Sequence, residues 1–360
     1  MSEIDTLTQE KENKRNRIKK RKLLEKNQEV VFRVIDKALR TRALSHAYLF
    51  VGPEGCLKEE MAQLVAQSIF CESDGVIREE ELEEEKGEIA RRVANGSYGD
   101  YLVIDGYRKS QISKEEVGMI QELFSKTTIE KSDYKVYVLK HIENTSIQAM
   151  NSLLKFLEEP SDNVYAILTT DNIERILPTI VSRCVTVPFH SLSESVYKSL
   201  MEEEGIDPED IYLLSRSIHL LDGFGDFVAS DVYQIAKTMF KQYIGVENNK
   251  DLLLVDYDIR YRINPKDITG DDKTGTARDM NMDILKLFFT FLINYYKDMI
   301  QCPKEVPSWY YNSIESEHSL YPNKTYEKHI DTLIEQRDRC NRNNDLNLLL
   351  AQTIYRLEAF

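Results

Sequence analysis

The chain has 360 residues, 42% of them apolar and 30% charged, enough for about two or three domains of an ordinary globular kind and too apolar for a disordered chain. Its net charge of −14 argues against a protein that holds nucleic acid mainly by its own field, because neutralising phosphates takes Lys and Arg in local excess. No apolar run approaches the roughly 18 residues that span a bilayer, and residues 1–26 lack the apolar core of a signal peptide, so a cytoplasmic location without membrane attachment is expected.

Residues 1–26 form a charged extension with a basic run, Lys14, Arg15, Arg17, Lys19, Lys20, Arg21 and Lys22, which reads either as a DNA-tracking arm or as a solvated helix. A helical pattern follows at Val30, Val31, Val34, Ile35 and Leu39. It leads to a short strand, Leu44 to Val51, and then to Gly52-Pro53-Glu54-Gly55-Cys56-Leu57-Lys58-Glu59. That loop has the outline of the phosphate-binding pattern G-x-x-x-x-G-K-[ST]. In the working pattern, glycines let backbone N–H groups close on phosphates, a lysine reaches the β and γ phosphates, and a hydroxyl holds magnesium. Gly52 and Lys58 fit, and Gly55 adds a further flexible position; Leu57 replaces the second patterned glycine and Glu59 the hydroxyl, setting a side chain and a carboxylate where phosphates would enter. The loop therefore reads as an abandoned nucleotide site, and no nucleotide cofactor is expected.

Met61, Leu64, Val65, Ser68 and Ile69 predict a helix after the loop. An acidic run, Glu79 to Glu85, reads as a partner-docking segment or a solvated face. Apolar runs at Tyr101–Ile104, Val136–Leu139, Tyr165–Leu168 and Cys184–Val187, separated by helical or loop sequence, predict a mostly parallel, five-stranded α/β sheet covered by helices. The run at 136–139 ends in Lys140-His141-Ile142-Glu143, where a hydrolytic site needs acidic residues for magnesium and water; a lysine there repels the metal. A helix is expected from Ile147 to Glu159, with Ser146 as its cap, an apolar stripe of Ile147, Met150, Leu153, Leu154 and Leu157, and Pro160 as its stop. Beyond His190 the pattern turns helical: short helices over 192–221 with turns at Gly205 and Asp222-Gly223, then longer ones over 232–244, 282–300 and 346–357. A polar loop is expected over 256–280.

Five scattered cysteines, Cys56, Cys71, Cys184, Cys302 and Cys340, form no C-x-x-C pair and predict neither a disulfide framework nor a zinc module. His46 has no His or Cys partner at ligand spacing and reads as a packing residue. Trp309, Tyr310 and Tyr311 read equally as an interface patch or as core.

Three segments in order, Ser45 to Gly55, Ala149 to Pro160 and Leu177-Pro178-Thr179-Ile180-Val181-Ser182-Arg183-Cys184, closely resemble the bacterial clamp-loader AAA+ subunits of DNA polymerase III, and most the delta prime branch of that family. The resemblance is dense over 44–188. It implies an AAA+ α/β module at 27–189, a small helical lid at 190–230 and an all-helical collar at 231–360 that joins subunits. It further implies motor (gamma/tau) and delta subunits as partners, with the sliding clamp and primer-template DNA reached through the assembly. Arg183, flanked by Ser182 and Cys184, is implied to be an arginine finger lent to a neighbour's ATP, in a subunit that is not an enzyme by itself. Family members often carry a four-cysteine zinc module; only Cys71 stands in that region, so no metal is expected. Thr169 and Thr170 fall where active relatives keep a polar sensor, and Gly223-Phe224-Gly225-Asp226 where they keep a second arginine; the first pair reads as sheet-steadying, and the second holds no arginine. Two other readings stand beside this one: an atypical ATPase with its own turnover, and a DNA-binding adaptor that uses the basic arm.

Overall fold

The computed structural model describes residues 19–82, 84–107, 112–124, 128–159, 161–245, 276–303, 306–320, 325–341 and 344–358. It divides into two compact units, Met1–Leu192 and Ser193–Phe360. Lys14, Arg15, Arg17, Glu83, Pro160 and residues 256–275 of the expected polar loop lie outside the described residues.

In the first unit a helix over 19–27 (α1) and a second, Glu29–Arg40 (α2), precede the central strand β1 (Ala47–Val51). Then come α3 (Lys58–Phe70), α4 (Glu84–Ala94), β2 (Tyr101–Asp105), α5 (Lys114–Phe124), β3 (Lys135–Lys140), α6 (Ile147–Glu158), β4 (Val164–Thr170), α7 (Pro178–Val181) and β5 (Val185–Pro188). The five strands are all parallel, in the order β2-β3-β4-β1-β5. This is the AAA+ type of sheet, with β1 between β4 and β5. Ala47, Leu49, Tyr137, Leu139, Ala166 and Leu168 alternate along the three inner strands and pack with Leu153 and Leu157 of α6 and Ile180 of α7 in one core cluster.

Local signals account for most element ends. Ser146 caps α6 by accepting from the Ala149 N–H at 3.1 Å. The stripe on α6 is narrower than expected: Ile147 is 69% exposed, because it sits in the first turn, before the helix meets the sheet. Val30 and Val34 of α2 are likewise exposed, and Val31, Ile35 and Leu39 carry the burial. The strand expected over 44–51 is confined to 47–51, and the last strand runs one residue later than expected, over 185–188.

Hydrogen bonds and an ion pair hold the segment that follows α3. Asp36 accepts from the Val76 N–H, Ser68 Oγ from the Ile77 N–H, and Gln67 donates to the Ala90 carbonyl. Arg92 on α4 forms a fork with both oxygens of Glu130, at 2.5 and 3.0 Å. Among the described residues, no group of three or more His, Cys, Asp or Glu side chains could hold a metal ion. No described helix is long and apolar enough to cross a membrane.

The second unit is helical among its described residues: α8 (Glu194–Glu203), α9 (Pro208–Leu214), α10 (Phe224–Ala229), α11 (Asp231–Ile244), α12 (Thr276–Gln301), α13 (Ser308–Leu320), α14 (Glu327–Asp338) and α15 (Leu346–Glu358). The long helix α12 begins six residues earlier than the apolar pattern at Met282 suggests, so residues 276–280 are helix and not loop. Its aromatic face meets α11 and α13: Phe240 packs edge-on to Tyr295 and Trp309, and Tyr310 edge-on to Tyr295. Of the three aromatics at 309–311, Tyr310 is core at 1% exposure and Tyr311 is 45% exposed. A second tie is polar. Asp210 of α9 accepts from the Tyr233 hydroxyl and from Lys237 of α11, joining residues on both sides of the expected 230/231 boundary.

Candidate functional site

The carboxyl ends of parallel strands are where α/β sheets place their sites, since loops there lie at the open end of the layers. Here that edge collects the loop after β1, Asp105 at the end of β2, Lys140 and His141 at the end of β3, and Asp171 just after β4. Asp105 and Lys140 are register partners on adjacent strands.

The loop after β1 keeps the shape of a phosphate cradle. Gly55 has φ +71°, and Leu57, at the position of the replaced glycine, takes the left-handed φ of +73°, a conformation that costs a side-chain-bearing residue about 1–2 kcal/mol. The Leu57 side chain is buried, so packing offsets that cost. Gly52 is required by close approach: a Cβ there would stand 2.7 Å from the Phe189 carbonyl oxygen. The loop is also clasped from outside. The Gln28 amide, 2% exposed, donates to the Cys56 carbonyl at 3.0 Å and to the His190 carbonyl at 2.6 Å, and accepts from the His190 N–H at 3.2 Å.

Inside the cradle the charges are already matched. Lys58 Nζ, 3% exposed, lies 2.6 Å from Asp171 Oδ1 and 3.0 Å from the Pro53 carbonyl. Lys140 Nζ lies 2.6 Å from Glu59 Oε2 and 4.0 Å from Asp105 Oδ2. His141 completes the cluster, with Nδ1 3.0 Å from Asp105 Oδ1 and Nε2 3.7 Å from Glu59 Oε1. Glu59, where the expected pattern has a hydroxyl, and Lys140, where it has an acid, therefore answer each other: the ammonium of one is the counter-ion of the other's carboxylate. Thr169, buried, accepts from the His141 N–H, and Thr170 from the Asn172 N–H. Both side chains bond this chain's own backbone.

Burial pulls the His141 ring down, but the hydrogen bond to Asp105 and the charges of Glu59 and Asp171 outweigh it, and the net shift is upward. The bond to His141 in turn holds the Asp105 carboxyl below its usual range, against burial. A raised histidine contributes stability that is complete below its unfolded pKa of 6.5 and is lost as pH rises through its folded value; a depressed carboxylate contributes above 3.8 and is lost as pH falls through its folded value. The cluster therefore stabilises most in mildly acidic solution. Urea midpoints followed across neutrality should fall with rising pH in the wild type, and His141→Gln should flatten that slope; parallel slopes would remove His141 from the cluster's energetics.

Arg183 lies apart from this cluster, between α7 and β5. Its Nη2 is 2.6 Å from Glu158 Oε1 and its Nη1 donates to the Thr179 carbonyl at 2.8 Å, with Ser182 Oγ at 3.5 Å. Cys184 is partly buried, and burial pushes its thiol up to about 12, so it is no nucleophile at neutral pH. His46 bonds the Leu157 carbonyl at 3.2 Å. The described part of the basic run is helix, with Lys20 3.9 Å from Glu60 and Arg21 3.5 Å from Glu25. Asp171, Asp105 and Gln28 complete the site and were not singled out in the sequence. The signal available for two of them was an acid at the end of a strand run: Asp105 directly after Tyr101–Ile104, and Asp171 two threonines beyond Tyr165–Leu168.

A family profile described as DNA polymerase III, delta subunit, matches residues 27–193. That span, just under half of the chain, is similar to this family. DNA polymerase III subunit delta' of Bacillus subtilis (strain 168) is 36% identical over 188 residues, which are 52% of this chain and 54% of that protein. DNA polymerase III subunit tau of the same organism is 31% identical over 203 residues, 55% of this chain and 34% of that one. The chain thus spans about half or less of the length of these two relatives. A solved DNA polymerase III, gamma subunit-related protein from Thermotoga maritima aligns with 91% of this chain and 97% of its own, at 15% identity and a TM-score of 0.43. The DNA polymerase III subunits that the three sequence segments resemble are thus among the proteins this chain is similar to.

Proposed function

We propose that this chain is the delta prime, stator-type subunit of a bacterial replicative clamp loader: non-catalytic, without a nucleotide or metal of its own, and lending Arg183 to the ATP of a neighbouring motor subunit. Its partners in that role are gamma/tau and delta subunits, and through the assembly the sliding clamp and primed DNA. The lid is assigned to 190–230 and the subunit-joining collar to 231–360.

The observation that carries the reading is the Lys140–Glu59 pair. An ATPase must leave an anionic pocket for magnesium and a free lysine for phosphate; here an ammonium fills the first, and Lys58 is held by Asp171 in place of the second. The family match over residues 27–193 and the surface position of Arg183, one-third accessible, support the remainder.

The test is calorimetric titration of Mg-ATP into the isolated chain, together with ATP turnover of a reconstituted assembly carrying Lys58→Ala. No saturable heat is expected from the isolated chain, and the Lys58→Ala assembly is expected to turn over at the wild-type rate. Saturable binding with metal-dependent turnover, both abolished by Lys58→Ala, would establish instead an ATPase acting through unusual residues.

A further inference from the structure

Arg183 does not stand free. Both terminal nitrogens of its fork are engaged within the chain, one by Glu158 at 2.6 Å and one by the Thr179 carbonyl at 2.8 Å. Glu158 is the last residue of α6, where the helix dipole disfavours a carboxylate and a cation beside it relieves the conflict. The backbones that present the two side chains are fixed, because Leu157 and Ile180 belong to one core cluster. The side chains themselves are at the surface, Glu158 48% and Arg183 33% exposed.

We propose that Glu158 is a positioning residue for Arg183: an internal carboxylate that holds the guanidinium against α6 until a phosphate of a neighbouring subunit's nucleotide takes its place. This rests on the reading of Arg183 as a finger acting in trans. Glu158 takes one arm of the planar fork and the Thr179 carbonyl the other, and a phosphate, which the fork binds with both arms, can take the place of the two together. A partly exposed pair biases an equilibrium by roughly two- to fivefold, weak enough to be surrendered to a phosphate and strong enough to keep the finger withdrawn when no neighbour is in place.

The experiment measures ATP turnover of the assembly reconstituted with its motor subunits, with and without primed DNA, at equal assembly and equal thermal stability of the variants. Glu158→Gln is expected to raise the DNA-free rate roughly two- to fivefold. The gain should shrink at high salt, where screening has already weakened the wild-type pair. The double variant with Arg183→Ala should match Arg183→Ala alone. A merely structural Glu158 would produce neither a gain nor its dependence on Arg183. A Glu158→Gln rate equal to or below wild type, with Arg183→Ala still losing turnover, overturns the positioning role. If Arg183→Ala keeps full turnover, the finger reading fails first, and the positioning role with it.

Discussion

Asp298→Ala is expected to destabilise the second unit by about 3–5 kcal/mol, the cost of leaving a largely buried charge without its partner. Asp298 is 1% exposed and takes the Arg216 fork on both oxygens, at 2.7 and 2.9 Å. The Tyr212 and Tyr310 hydroxyls also donate to it, at 2.9 and 2.6 Å. Removing the carboxylate strands a guanidinium and two hydroxyls together. Burial alone disfavours a charged Arg216, and in the wild type the bonds and charge of Asp298 outweigh that; in the variant Arg216 cannot escape by neutralising, because a guanidinium is too basic to lose its proton inside a protein. For a unit of this size the melting temperature should fall on the order of 10 °C. Replacing Asp298 and Arg216 together with apolar residues of similar volume should cost far less, because it removes both charges from the interior. Chemical denaturation of the three variants checks this; a loss below about 1 kcal/mol for Asp298→Ala would mean the pair is hydrated and not structural. Because Arg216 and Tyr212 come from the segment around α9 and Asp298 from α12, the same network bonds the proposed lid to the proposed collar.

The alternation of short apolar runs with helical sequence was enough to foresee a parallel sheet, because buried strands and their covering helices each impose a period on the chain. The cap at Ser146 and the loop beginning at Gly52 were legible for the same reason: a local geometry demands a particular residue. The helix at 114–124 carries no individual signal that sets it apart, and Val30, in the helical pattern of α2, and Ile147, in the apolar stripe of α6, are exposed, since periodicity marks an apolar face without saying how far the neighbouring layer reaches along it. The strand order and the partners of Lys58 and Lys140 depend on which strand ends become neighbours, and that is a property of the assembled sheet. Sequence alone showed that a lysine stood where a metal-associated carboxylate belongs. Only the fold showed that Glu59, the other departure, lies 2.6 Å from it.

That pairing meets the charges of the loop after β1 from within the chain. In an active relative of this fold, a phosphate-binding lysine and metal-associated carboxylates are satisfied by the ligand they bind. Here each has a resident counter-ion, and the Gln28 amide secures the same loop through the Cys56 and His190 carbonyls. A site satisfied from within has no need of a ligand to set its conformation, a property suited to a subunit whose proposed part in the assembly is to stay rigid.

The most direct test of that proposal is a single-turnover burst of ATP hydrolysis by the reconstituted assembly on primed DNA, comparing wild type with Arg183→Ala at equal assembly. An arginine finger is worth about 10³-fold or more at the phosphoryl group it touches, so the site that Arg183 serves should fall silent and its share of the burst disappear. The remaining sites, served by their own neighbours, should keep theirs. A burst of unchanged amplitude and rate would contradict the account, leaving Arg183 as a surface partner of Glu158 and this chain as scaffold alone.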